Sequence, residues 1–299
     1  MKTVIITRDS LMGHTMPTVI ASYTDVDQLG VIYVDDYNDW YAQTKEALQD
    51  ESVTSIIILD IPFKVAYAND LDKLKEQLDM PFTGLFWLAS YGATLPTWVK
   101  TLPEGTGSFP KRVEVAIVQS NLMRLQWAEG GYLYALNDYY TGQGVGIPQS
   151  PANNLFLLDK LLGRTFFERT RFTNLEKIVA QYQPFLAVQE QQLMYYVLGK
   201  AKNAMPVGKE AVIVVADQNH NELAGHLLQT YNNVIMLTYY ASRVSITIRS
   251  KTEMALKIGS TLQNKEANGL PNATTIFIDN PINLVNLLVE TLQKEYSWH

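Results

Sequence analysis

Short, uninterrupted apolar runs alternate with amphipathic stretches through the first hundred residues. The runs cover residues 4–7, 31–34, 55–59 and 84–88. Each is continuous rather than alternating, the pattern of strands buried on both faces of a parallel sheet. Residues 40–48 and 69–78, lying between them, have helical spacing. This β–α–β–α rhythm predicts an open, doubly wound sheet.

Further on, residues 102–110 are rich in Gly, Pro, Ser and Thr and read as a loop, as do residues 142–151. Residues 113–127 look helical. Ser150-Pro151 is a helix start, a capping serine followed by proline in the first turn. Helices are predicted over 153–162 and 174–202, with Pro184 breaking or kinking the second. Residues 203–209 read as a linker. A smaller unit then begins with a strand over 211–216, a helix over 222–231 and strands over 234–240 and 244–249. A helix over 252–263, a strand over 274–278 and a closing helix from Pro281 to about Tyr296 complete it. Domains are therefore expected over 1–200 and 208–299.

Composition narrows the chemistry. Of 299 residues, 47% are hydrophobic and 18% charged, which is ample for a buried core. The net charge of −6 and the absence of any dense Lys/Arg block argue against strong binding of duplex nucleic acid. No cysteine is present, which removes thiolate chemistry, disulfides and iron–sulfur or zinc-thiolate sites. The N-terminal run meets an Arg-Asp pair too soon for a signal peptide, and no stretch reaches membrane-spanning length. A cytoplasmic protein with no membrane partner is expected.

Parallel strands end on one sheet edge, where ligands bind in open α/β folds. Asp9, the Asp35-Asp36 pair and Asp60 each follow a predicted strand, so acidic residues gather at that rim. Helix caps and turns explain the same aspartates equally simply. Of the histidines, His220 and His226 are six apart and do not share a helical face as i,i+4 ligands would. His14, beside Gly13, reads as a turn residue near the rim. The glycines of 142–146 lack the strand and spacing of a dinucleotide loop and read as a flexible loop.

The order of pieces and several motifs resemble the DHH/DHHA1 phosphoesterase superfamily. Thr7-Arg8-Asp9-Ser10-Leu11-Met12-Gly13 matches its opening strand and His-x-Asp-x-Asp-Gly motif, with Arg8, Ser10 and Met12 at the ligand positions. Leu59-Asp60-Ile61-Pro62-Phe63 keeps the second motif's aspartate. Phe86-Trp87-Leu88 is followed by Ala89-Ser90-Tyr91 where the family carries Asp-His-His. Leu136-Asn137-Asp138-Tyr139-Tyr140 resembles a fourth motif and retains Asp138. In the C-terminal part, Arg249-Ser250 and Asn272 match an Arg-Ser pair and the tail of a glycine-rich loop.

The resemblance implies a DHH-like, mainly parallel sheet domain, a helical connector and a smaller DHHA1-like α/β domain, with a cleft between them. Family members hydrolyse phosphodiesters or pyrophosphates with paired divalent cations, usually manganese. Here Asp60 and Asp138 remain as metal ligands, with Asp9 or Asp36 as a third, while Arg8 repels a cation. Loss of two-metal catalysis is expected, leaving a binding, scaffold or assembly protein with no cofactor, a role that would suit a viral protein. Two alternatives stay open. One is a Mn²⁺- or Mg²⁺-dependent phosphodiesterase acting on short oligonucleotides or cyclic dinucleotides. The other is a metal-free nucleotide sensor, with Arg8, Arg249, Ser250 and Asn272 binding phosphate. Arg8 equally serves as an internal partner for Asp9, Asp60 or Asp138.

Overall fold

The computed structural model describes residues 2–22, 28–77, 84–89, 94–102, 109–119, 131–142, 144–263, 266–267, 269–279 and 284–296. They form two compact units, one from residues 1–141 and 154–186, the other from 142–153 and 187–299.

The first unit opens with strand β1 (Lys2–Arg8), helix α1 (Leu11–Ala21), β2 (Leu29–Val34), α2 (Trp40–Ala47), β3 (Val53–Leu59), α3 (Ala68–Gln77), β4 (Gly84–Leu88) and the short β5 (Lys100–Thr101). These strands make one sheet in the order β2-β1-β3-β4-β5, parallel throughout. The four predicted strands are all present, lengthened by up to three residues. Burial explains their composition: all seven residues of central β3 are buried, whereas the middle of edge strand β2 is only half-buried. On one sheet face Trp40 and Trp87 meet edge-to-face at 4.7 Å, and the Trp87 indole donates to the Ile61 carbonyl.

Helices α4 (Phe109–Gln119), α5 (Tyr132–Thr141), α6 (Pro151–Leu162) and α7 (Phe166–Thr170) follow. Ser150 caps α6 as its sequence implies, its hydroxyl accepting from the Asn153 backbone at 3.1 Å. Helix α8 (Leu175–Lys202) then runs 28 residues straight through Pro184, so the predicted break does not occur. A proline removes one backbone donor, and the uninterrupted turns on either side outweigh that loss.

The second unit holds β6 (Met205–Val207), β7 (Ala211–Val215), α9 (His220–Leu227), β8 (Asn233–Tyr239), β9 (Arg243–Ser250), α10 (Ala255–Gln263), β10 (Gly269–Leu270), β11 (Ala273–Asp279) and α11 (Leu284–Tyr296). Its mixed sheet runs β10-β11-β9-β8-β7-β6, with β7 and β8 as its parallel pair. The expected linker at 203–209 is in part strand β6, paired antiparallel to β7. With Pro206 in it, this three-residue segment is tolerated only at a sheet edge, which is where it lies. Within the glycine segment of 142–146, expected to be flexible, residues 144–146 are packed instead, while Gly142 is exposed. Val145 is buried, and a Cβ on Gly146 would sit 2.7 Å from the Glu222 carbonyl.

The largest omission of the sequence reading is α1. Every one of its eleven residues is buried, Met12 and His14 included. Gly13 lets it approach β1, since a Cβ there would lie 2.2 Å from the Arg8 carbonyl oxygen and 2.6 Å from the Thr7 hydroxyl. Both neighbours are fixed, one by strand β1 and one by a hydrogen bond to the Leu59 carbonyl. Gly13→Ala is therefore expected to lower stability by about 1–3 kcal/mol, the usual cost of overpacking, read as a drop in urea midpoint at unchanged slope.

Candidate functional site

Two charge clusters form at the carboxyl ends of β1, β2 and β3. Strand register makes the first. Thr7 is level with Leu59, so the next residues, Arg8 and Asp60, leave adjacent strands side by side. The Asp60 amide donates to the Leu88 carbonyl, and its φ of 59° is a left-handed conformation that aspartate tolerates better than most residues. Its side chain is 5% exposed. The Asp60 carboxylate accepts from Arg8 Nε at 2.6 Å and from the Ser10 hydroxyl at 2.9 Å on the same oxygen, Oδ2. Ser10 also caps α1, accepting from the Gly13 amide at 3.1 Å. One serine thus ties the start of a buried helix to a buried charge.

The second cluster surrounds His14, which is not a turn residue. Lying in α1 and 2% exposed, it is hydrogen-bonded through Nδ1 to Asp159 of α6 at 2.7 Å. Its Nε2 approaches Asp9 to 3.0 Å, but no hydrogen bond with acceptable geometry forms there. Arg164 joins Asp9, at 3.0 Å, to Asp35. The Tyr33 ring stands edge-on to His14 at 5.1 Å. Its phenol is raised well above the ordinary range, first by burial and then by the carboxylates of Asp159, Asp9 and Glu168, with Arg164 opposing.

The predicted residues divide clearly. Arg8, Ser10 and Asp60 come together, and Asp9 joins the His14 group. Asp36 turns to a local task, capping a short turn by accepting from the Asn38 amide at 2.9 Å, which holds its carboxyl below the usual range. Asp138 lies half-buried in α5 and forms no ion pair among the described residues. Two residues on, the Tyr140 phenol is raised by desolvation of its hydroxyl and then by Asp60, with Arg8 opposing. Met12 is core, Ala89 packs against the Trp40–Trp87 cluster, and Ser90 and Tyr91 lie outside the described residues. Among the described residues no three His, Asp or Glu side chains group so as to hold a metal ion.

In the second unit, Arg249 donates to the Asn221 side chain at 3.0 Å. The Ser250 hydroxyl accepts from the Thr252 and Met254 amides at 3.1 Å, a turn-capping role, while exposed Asn272 accepts from the Ser250 amide through its backbone. Beside Arg249, His220 Nε2 lies 2.8 Å from the Thr238 hydroxyl. That hydroxyl donates to the Ala216 carbonyl, so it accepts from a neutral His220 carrying its proton on Nε2. Burial, and then the Arg249 charge, hold the His220 pKa below 6.5.

The sequence reading missed His14 as a buried group, together with Asp159, Arg164 and Tyr33. A usable signal existed for His14. It stands alone in the apolar run LMGHTMPTVIA, and a histidine in such a run needs a polar partner once buried.

Fold and site together define a two-unit α/β protein with a five-stranded parallel sheet, whose buried strand-end carboxylate, Asp60, is held by an arginine of its own chain. Comparison with solved structures agrees on the fold. An exopolyphosphatase-related protein from Bacteroides fragilis is 12% identical with a TM-score of 0.53, the match covering 99% of this chain and 92% of that one. RecJ from Thermus thermophilus, in complex with Mn²⁺, is 13% identical with a TM-score of 0.52 over 97% of this chain. This chain spans about half of RecJ, 51% of its length. At these identities the likeness is one of fold. No protein-family model and no curated protein sequence matches the chain.

Two outcomes are expected for the site. Arg8→Ala and Asp60→Asn should each destabilise by about 1–3 kcal/mol, and the double variant by less than their sum, because each removes the same pair. Urea denaturation of the four-member cycle measures the coupling. The depressed pKa of His220 also makes stability fall with acidification, because below 6.5 the unfolded chain takes up the proton first. His220→Gln is expected to flatten that slope in denaturation midpoints taken on either side of this pH.

Proposed function

We propose that this chain is a DHH-like protein that has given up two-metal phosphoester hydrolysis and works as a binding or assembly protein. The engagement of Asp60 carries this reading. Its Oδ2 already accepts from Arg8 and Ser10, so a divalent cation at this carboxylate has to displace a permanent guanidinium charge. Paired-metal hydrolysis needs several hard oxygen and imidazole ligands converging on one place. The one histidine of the first unit, His14, is committed to Asp159 through Nδ1 and faces Asp9 with Nε2. Arg8 neutralises the strand-end carboxylate from within, a role that in a metalloenzyme falls to the metal.

A second reading keeps a phosphate ligand and drops the metal. Arg249 is half-buried beside His220 near the end of β9, and a guanidinium in that setting suits the phosphate of a nucleotide or short oligonucleotide. One experiment separates the readings from the Mn²⁺-dependent phosphodiesterase that the motif resemblance implies. Thermal unfolding is followed with MnCl₂, MgCl₂ and a 5′-phosphorylated diadenylate, alone and combined, and the dinucleotide is then assayed for cleavage by chromatography. The expected result is no metal-dependent rise in Tm and no cleavage. Stabilisation by the dinucleotide alone, lost in Arg249→Ala, selects the sensor reading. Mn²⁺-dependent cleavage abolished by Asp60→Asn would overturn the non-catalytic one.

A further inference from the structure

Helix α8 presents a long uncharged face to solvent. From residue 178 to residue 199, in a chain that is 18% charged, the one charged side chain is Glu190. Glu190 is occupied inside the molecule, accepting from the Gln149 amide at 2.9 Å and the Asn153 side chain at 3.0 Å. The exposed face carries large apolar groups: Phe185 is 60% exposed, Val188 55%, Tyr195 69% and Leu198 50%. Gln191 lies between them, and exposed Pro184 and Gly199 flank them.

These residues are arranged symmetrically about the midpoint between Gln191 and Gln192. Val188 and Tyr195 are equidistant from it, as are Phe185 and Leu198, and Pro184 and Gly199. At about 100° per residue, positions equidistant from a midpoint lie at equal and opposite angles about the centre of one helical face. Turned end over end, the helix therefore offers a matching face to its own copy. An isologous two-fold interface requires this relation.

Gly199 supplies an independent observation. A Cβ there would meet nothing within 4 Å, so no contact among the described residues requires glycine. In a helix interior glycine is about 1 kcal/mol worse than alanine, and at an exposed position it leaves room for another backbone. Charge selects the occupant. Two copies, each carrying a net −6, repel overall, whereas this face brings no charges into opposition.

We propose that α8 pairs antiparallel with α8 of a second copy, about a two-fold axis between Gln191 and Gln192. Val188 packs against the partner subunit's Tyr195, with Phe185 and Leu198 on the two edges of the face. Gly199 receives the partner subunit's Pro184, and the glutamines at the axis donate to and accept from one another. The inference stands apart from the reading of the Asp60 site, since it uses none of its residues.

The absence of cysteine makes the register directly testable. Val188→Cys and Tyr195→Cys chains, both changed at exposed positions, are mixed, oxidised and run on a non-reducing gel. In the proposed pairing these two positions face each other. Two copies of position 188 are offset by about 10 Å along the helix axis, beyond the roughly 7 Å that a disulfide spans between Cα atoms. The expected result is covalent dimer in the mixture at several-fold the level of either variant alone, with wild-type protein sedimenting as a dimer at tens of micromolar and Tyr195→Glu as a monomer. A wild-type monomer, or a dimer whose cross-linking in the mixture does not exceed that of the single variants, would overturn the proposal.

Discussion

A carboxylate buried at the end of a central strand must be neutralised, and in this chain the neutralising charge comes from the neighbouring strand. Asp60 follows β3, whose seven residues are all buried, and its backbone is pinned to β4 through Leu88. It cannot swing into solvent without undoing that edge of the sheet. Leaving a buried charge unpaired costs several kcal/mol, so something must stand at the place Arg8 takes. Parallel register supplies Arg8 there at no further conformational cost, because Thr7 and Leu59 are already level. The serine that completes the coordination also starts α1, so the ion pair, the helix and the sheet edge are held as one arrangement.

The same edge shows why a helix with an all-buried face can go unseen in a sequence. α1 has no polar stripe, because the sheet, α4, α5 and α7 all pack around it. Helical periodicity is visible only where one face is wet. With Gly13, His14 and Pro17 interrupting the run, 11–21 has neither the alternation of a strand nor the stripe of a surface helix. The strands of the first unit were legible for the opposite reason. Continuous apolar runs of that length, separated by amphipathic helices, have few other structures open to them.

The candidate site was half legible, and the division tracks sequence distance. Arg8, Ser10 and Asp60 sit at strand ends, where the pattern of apolar runs locates them. Asp159 and Arg164 come from far along the chain, on α6 and the turn after it, and nothing in their local sequence distinguishes them from the polar face of a surface helix. Asp36 misled in the other direction. It stands at a strand end like Asp60, but it is exposed, and a short turn with free amides used its carboxylate first. A strand-end aspartate reports on the rim only if burial stops it from capping the next turn.

Burial also separates two uses of a charge-poor sequence in this protein. In β3 and α1 the absence of charge matches a core position, and the accompanying side chains are packed away from water. In α8 the absence of charge continues over turn after turn of a face that remains exposed, where Lys and Glu would carry no penalty and would favour solubility. Glu190 shows that charge is accepted in this helix wherever a partner inside the chain waits for it. Between residues 178 and 199 the inner side of this helix admits an ionised group while the outer side has none, a composition inverted relative to an ordinary surface helix. That inversion is the physical signature of a face built to be covered.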